Sequence, residues 1–257
     1  MIEAPNERAS TARVTYVGHA TVLLELDGVR LLTDPVLRSR VLHLRRLTAA
    51  PARFENVTAA LVSHAHWDHL DIPSLSRLGR ETQVIVPFGA GRLLRRRGFT
   101  DVVEVAVGDE VEIGGVAVTA TPADHDARRG PLGVNAPALG YVIGGSKRVY
   151  FAGDTDLFDG MAELAPLDVA LLPVAGWGPS LPPGHLDSVR AAEALRLLRP
   201  RLAIPIHWGT YAAMTSRRPG RAPDHPSPAA EFAHHATELA PDVDVRVLEP
   251  GETLELV

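Results

Sequence analysis

Short apolar runs, each closed by a turn signal, recur along the chain with a few helical stretches between them. Residues 13–17 and 21–26 predict two strands around the turn Gly18-His19-Ala20. Asp27-Gly28 is a strong hairpin signal, and it leads into a third strand, 29–33, ended by Asp34-Pro35. This opening is an antiparallel meander. The run Ala59-Ala60-Leu61-Val62 reads as a buried strand. Asp71 then suits the N-cap of a helix with Pro73 in its first turn, reaching about residue 78.

A strand at 83–87 follows, then a helix over 90–97 whose basic last turn suits its macrodipole and which Gly98 stops. Further strands are predicted at 101–107, 110–113, 116–121, 141–144, 148–152, 169–173 and 201–206. Val189, Ala192, Leu195 and Leu198 recur at helical spacing after Asp187. A helix through His234 and His235 and strands at 243–248 and 253–257 complete the pattern. Mixed meanders and βαβ units imply an α/β sandwich of two sheets with helices outside. No linker divides the chain, so 1–257 is expected to be one domain.

The polar residues that end the apolar runs carry the chemistry. The stretch Ser63-His64-Ala65-His66-Trp67-Asp68-His69-Leu70-Asp71 sets three imidazoles and two carboxylates just past a strand, where open α/β sheets hold their ligands. His64 and His66, two apart on extended chain, point the same way and can grip one ion. Asp68 and His69 face a second position, which suggests two ions. Three more strands run into His125, Asp154 and His207. His19 and Asp34 sit at strand-end turns, and Asp34 is a candidate to fix an imidazole tautomer. His43, His225, His234 and His235 read as surface residues. Arg38, Arg40, Arg45 and Arg46 read as a solvated loop, with an anion-attracting rim as the alternative.

Composition narrows the choice. Cysteine is absent, so a metal site here is built from His, Asp, Glu and water. Hydrophobic residues at 46% support a substantial core. A net charge of −5 argues against nucleic acid bound by bulk charge. The first 13 residues lack a secretory apolar core, and the apolar runs fall short of the ~20 residues of a membrane span. A cytoplasmic protein without stable membrane insertion is expected.

The string His64-x-His66-x-Asp68-His69, His125, Asp154 in Gly-Asp-Thr and His207 in Pro-Ile-His-Trp-Gly-Thr resemble the metallo-β-lactamase fold superfamily. Gly18-His19-Ala20-Thr21 and Thr33-Asp34-Pro35 resemble the branch that holds L-ascorbate-6-phosphate lactonase and N-acylphosphatidylethanolamine-hydrolysing phospholipase D. The resemblance implies a four-layer αββα sandwich. It implies a first metal on His64, His66 and His125, a second on Asp68, His69 and His207, and Asp154 bridging them. Zinc suits these donors, and manganese or iron is also accommodated.

The implied activity is metal-dependent hydrolysis of a phosphoester, phosphodiester or lactone-type ester. A hydroxide between the metals would attack, Asp68 and Asp154 would orient it and take up its proton, and His185 would meet the leaving group. His185-Leu186-Asp187 is otherwise a plain helix cap. Arg128 and Arg129 offer an anion-binding pair, or else a solvated loop. Asp156 stands where the branch has glycine. The expected partner is an anionic small molecule rather than nucleic acid, with a homo-oligomer possible through the Arg-rich segment. The competing functions are an RNA-processing nuclease of the same fold and a silent metal-binding sensor or scaffold.

Overall fold

Alternation along the strands builds two layers at once. The structure, a computed structural model, describes residues 12–51, 54–130, 133–176, 181–214 and 226–257. The first half lays down β1 (Ala12–Gly18), β2 (Thr21–Leu26), β3 (Val29–Thr33), the short strands β4 (Arg40–Val41) and β5 (Leu44–Arg46), and β6 (Ala59–Leu61). Then come α1 (Ile72–Leu75), β7 (Gln83–Pro87), α2 (Gly91–Arg95) and β8 (Val102–Val105). The second half gives β9 (Glu110–Ile113), β10 (Val116–Pro122), β11 (Leu139–Gly144), β12 (Arg148–Phe151) and β13 (Leu167–Pro173). It ends with α3 (Ser188–Leu198), β14 (Pro200–Ile206), β15 (Tyr211–Ala213), α4 (Pro228–Leu239), β16 (Asp244–Val245) and β17 (Thr253–Leu256).

Two seven-stranded sheets result, ordered β17-β1-β2-β3-β6-β7-β8 and β16-β14-β13-β12-β11-β10-β9. Val14, Leu24, Leu31, Leu61 and Ile85 of the first join Val118, Tyr141, Phe151, Leu171 and Ile204 of the second in one buried cluster. The intervening positions Ala60, Val62, Val84 and Val86 face the other way, onto Leu75 of α1 and Leu94 of α2. Burying each such Leu contributes about 1.5–3 kcal/mol. On the second sheet's outer side, Ala191 and Leu195 of α3 and Phe232 of α4 are buried. The expected αββα order is present.

Helix ends follow the local chemistry read from the sequence. Asp71 caps α1, accepting from the Ser74 N–H, and Asp187 caps α3, accepting from the Arg190 N–H. Four segments differ from expectation. The helices after Asp71 and Ala90 are single short turns, and the strand at 243–248 shrinks to two residues at a sheet edge. The Arg-rich segment is not a solvated loop. It forms β4 and β5, which pair with β15 in a three-stranded sheet. Arg46 there is buried, and its guanidinium donates to the Val17 and Val36 carbonyls and the Tyr211 hydroxyl.

Topology puts the strand ends together. β1, β3 and β6 run the same way in one sheet, as do β10, β12, β13 and β14 in the other. Their C-terminal ends open on one edge of the sandwich. Gly153, just before Asp154, has φ +63°, and a Cβ there would meet the Ser63 Cβ at 2.5 Å. Only glycine lets the two sheets approach this closely at that edge.

Candidate metal centre

Four histidines of the cluster have one ring nitrogen committed to the protein. His125 Nδ1 donates to the Gly184 carbonyl (2.9 Å) and His207 Nδ1 to the Ala175 carbonyl (2.7 Å). His69 Nδ1 donates to Asp34 Oδ2 at 2.7 Å. Ser63 Oγ donates to Asp34 Oδ2 (2.6 Å) and so accepts from His64 Nδ1 (2.9 Å). The Ser63 N–H also donates to Asp34, at 2.7 Å. These bonds fix the tautomers and aim the opposite nitrogens inward.

The inward nitrogens meet one another rather than partners. His64 Nε2 lies 2.9 Å from His66 Nδ1, which lies 3.2 Å from His125 Nε2. Nearby, His207 Nε2 is 3.3 Å from His69 Nε2. Asp154 sits between the groups, 3.3 Å from His69, 3.4 Å from His207 and 3.5 Å from His185. The ligand atoms of His64, His66 and His125 lie within 4.8 Å of one another, as do those of His19, Asp68, His69 and His207.

Burial sets the charge states. It holds the His64 imidazole well below its ordinary value and lowers His66, His125 and His207 as well. His19 falls to about 4, through burial and then the nearby His207. These rings are neutral at pH 7 and offer lone pairs. Burial works against ionised carboxylates, yet Asp154, beside His207 and His69, is held well below the usual range. Asp68, hydrogen-bonded to His19, is also lowered against its burial. His69 is the exception: burial opposes its charge, but Asp154 and Asp34 on either side raise it well above normal.

Neutral nitrogens facing each other beside buried carboxylates are the chemistry of a cation site. Asp154 Oδ1 is buried and accepts no hydrogen bond. Because His207 carries its proton on Nδ1, its Nε2 cannot supply one. A buried acceptor left in that state costs about 1–3 kcal/mol, and a divalent cation removes the penalty. The donor set therefore fits metal.

The structure brings together His64, His66, Asp68, His69, His125, Asp154, His185 and His207. His19 is closer than expected. Its Nε2 lies 3.1 Å from Asp68 Oδ2, and its ring centroid lies 3.9 Å from that of His207, tilted by 37°. Both His19 (φ +59°) and His207 (φ +62°) adopt left-handed backbone, a strain retained where a site over-determines it. His185 fills both readings of its segment by division: Asp187 caps the helix, while His185 Nδ1 donates to Pro182 and its ring turns to Asp154.

Two expected residues lie elsewhere. Arg128 is exposed and faces no part of the cavity above the cluster. Arg129 is buried, and its Nη1 donates to the carbonyls of Ala65 and Leu70, clamping the loop that carries the histidines. That nitrogen is engaged in the clamp. Asp156 accepts from the Arg190 Nε at 2.6 Å, tying α3 to the Asp154 loop.

The cluster floors a cavity of about 310 Å³. Val41, Leu42, Leu44, Leu181 and Pro182 wall it, and His66, Asp68, Asp154, His185 and His207 supply its polar floor. His43, expected on the surface, is exposed but also lines this cavity. The wall comes from two of the three segments the sequence suggests as shaping a pocket, 36–54 and 177–185, and, among the described residues, not from the third, 126–138. Trp177 lies outside the described residues, as does His225.

Comparison with known proteins shows the family. The family described as the beta-lactamase superfamily domain matches residues 29–208. A UPF0173 metal-dependent hydrolase of Methanopyrus kandleri is 32% identical over 95% of this chain and 99% of its own. An N-acyl-phosphatidylethanolamine-hydrolyzing phospholipase D of Caenorhabditis elegans is 32% identical over 79% of this chain and 65% of its own. Among solved structures, a metallo hydrolase from Ignicoccus hospitalis superposes with TM-score 0.70 at 27% identity, over 95% of this chain and 98% of that one. A fold match from Veillonella parvula reaches TM-score 0.73 at 18% identity, over 96% and 100%.

Proposed function

Because this chain belongs to the beta-lactamase superfamily, we propose that it is a two-metal hydrolase of phosphoester, phosphodiester or lactone-type bonds in small anionic molecules. The whole of 1–257 serves as one hydrolase domain in this reading. His64, His66 and His125 hold one ion, Asp68, His69 and His207 the other, and Asp154 lies between them. Zinc suits these donors best, with manganese or iron as alternatives. When bound, such a pair supplies an activated water at neutral pH and a Lewis acid for the substrate oxygen.

The chain's own residues do the rest. Asp34 keeps His69 and, through Ser63, His64 in the tautomers that aim their free nitrogens inward. Asp68 and Asp154 stay ionised and accept the proton of the attacking water. His185, half-buried in the cavity floor, holds its Nε2 3.5 Å from Asp154 and stands ready for the leaving-group oxygen. The apolar hairpin wall excludes water from the reacting bond.

One observation carries the reading: Asp154 Oδ1 is buried without a hydrogen bond at the convergence of the histidines. The test is metal analysis of protein purified without chelator, then a screen of phosphodiesters, phosphomonoesters, lactones and thioesters. About two ions per chain are expected, with turnover on one ester class. His66→Ala and Asp68→Ala should abolish that turnover with the circular dichroism unchanged. Undiminished activity in both variants rejects the assignment, and two ions without any turnover favour a metal-binding scaffold.

A further inference from the structure

Beside the candidate metal centre lies a second cavity of about 270 Å³. Arg38, Arg97, Arg129 and Asp71 line it, and it shares Leu42 and Trp67 with the first. Three guanidiniums and one carboxylate thus line it, a positive cleft in a chain of net charge −5. Like charges gathered in a cleft repel unless something of opposite sign joins them.

The one carboxylate is already paired. Asp71 takes Arg38 bidentately, at 2.9 and 2.6 Å, and also accepts from the Ser74 N–H and hydroxyl at the start of α1. It also acts on the buried Arg129 through space, as does Asp68. Arg129 is buried and held in place by carbonyls, which orient a guanidinium without cancelling its charge. Its Cζ lies 3.7 Å from the centroid of the Trp67 ring, itself half exposed. Arg97, just past α2, is exposed at the same cavity. The arrangement is a positive pocket with a fixed floor, an exposed arm and an aromatic wall leading to the metal centre.

We infer that this cavity is an anion subsite that takes a phosphate- or carboxylate-class group through Arg97 and Arg129. The planar guanidinium fork matches such oxyanions. Its ligand is either a remote anionic group of the substrate, with the rest of that molecule crossing Trp67 and Leu42 to the metal centre, or free phosphate acting on turnover. The link to substrate rests on the hydrolase reading, whereas anion binding does not.

Inorganic phosphate is titrated into the full chain as purified, and again after chelation, by calorimetry and tryptophan fluorescence. Saturable binding is expected in both, with Arg97→Glu weakening it by about tenfold or more and Arg97→Lys restoring part of it. Arg97 is exposed, so an unchanged melting curve shows the variants folded. Absence of saturable binding, or binding indifferent to Arg97→Glu, overturns the inference.

Two 4-nitrophenyl phosphodiesters, alike except for a carboxylate on the group that stays, then identify the source. Substrate use appears as a KM rise in Arg97→Glu about tenfold larger for the carboxylated ester. Effector use appears as phosphate changing kcat on both esters, an effect lost in the variant. Failure of the hydrolase reading looks different: neither ester turns over, while phosphate binding still tracks Arg97.

Discussion

Asp34 shows how much one side chain decides. It accepts from the Ser63 N–H, the Ser63 hydroxyl and His69 Nδ1, and Ser63 in turn accepts from His64. One carboxylate therefore orients a histidine in each proposed ion set. Asp34→Asn keeps the shape but turns one oxygen into a donor, which cannot face both Ser63 Oγ–H and His69 Nδ1–H. We expect metal affinity to fall about 10–100-fold, measured by competition with a chromogenic chelator. Unchanged affinity would remove Asp34 from the site's support. The sequence marked Asp34 as a tautomer-fixing partner from its place after a strand. It left Ser63 unmarked, because a serine at a strand end is usually only a turn residue.

At the scale of elements, the loop after β6 carries the ligands and has little regular structure of its own. Its shape comes from Arg129, whose Nη1 donates to the carbonyls of Ala65 and Leu70 across more than fifty residues of sequence. Replacing Arg129 with Met keeps the packing length and strands those carbonyls. A loss of about 1–3 kcal/mol in urea unfolding is expected. Faster amide exchange confined to the loop should accompany it, and a stability change without that local signature would point to a general packing defect instead. Arg46 does the same work for β5, joining the ends of β1 and β15. Both arginines look solvated in sequence, since charge patterning cannot distinguish an arginine in water from one that satisfies buried carbonyls.

Across the molecule, the site exists only because β1, β3, β6, β10, β12 and β14 end on one edge. Ions bound there bind the folded chain and not the unfolded one, so they stabilise it by mass action. At a hundredfold excess over Kd the gain is about 2.7 kcal/mol. Chelation should lower Tm by roughly 5–10 °C in scanning calorimetry. His69→Ala, missing a central donor, should show a much smaller shift. Equal shifts in both proteins would mean that the chelator acts elsewhere. Among the described residues no helix is long and apolar enough to cross a membrane.

Local chemistry written in the chain determined the strands, the caps at Asp71 and Asp187, and the motif residues from His64 to His207, because turns, caps and apolar periods depend on near neighbours. The resemblance carried by those motifs then supplied the ion grouping and the layered architecture. Tertiary structure decided what depends on distant partners. It moved His19 up against Asp68 and His207, turned Arg129 inward while leaving Arg128 in water, and folded the Arg-rich segment into a cavity wall. Those outcomes follow from which carbonyls and apolar faces remain unsatisfied once the two sheets close on each other, and no short stretch of sequence contains that information.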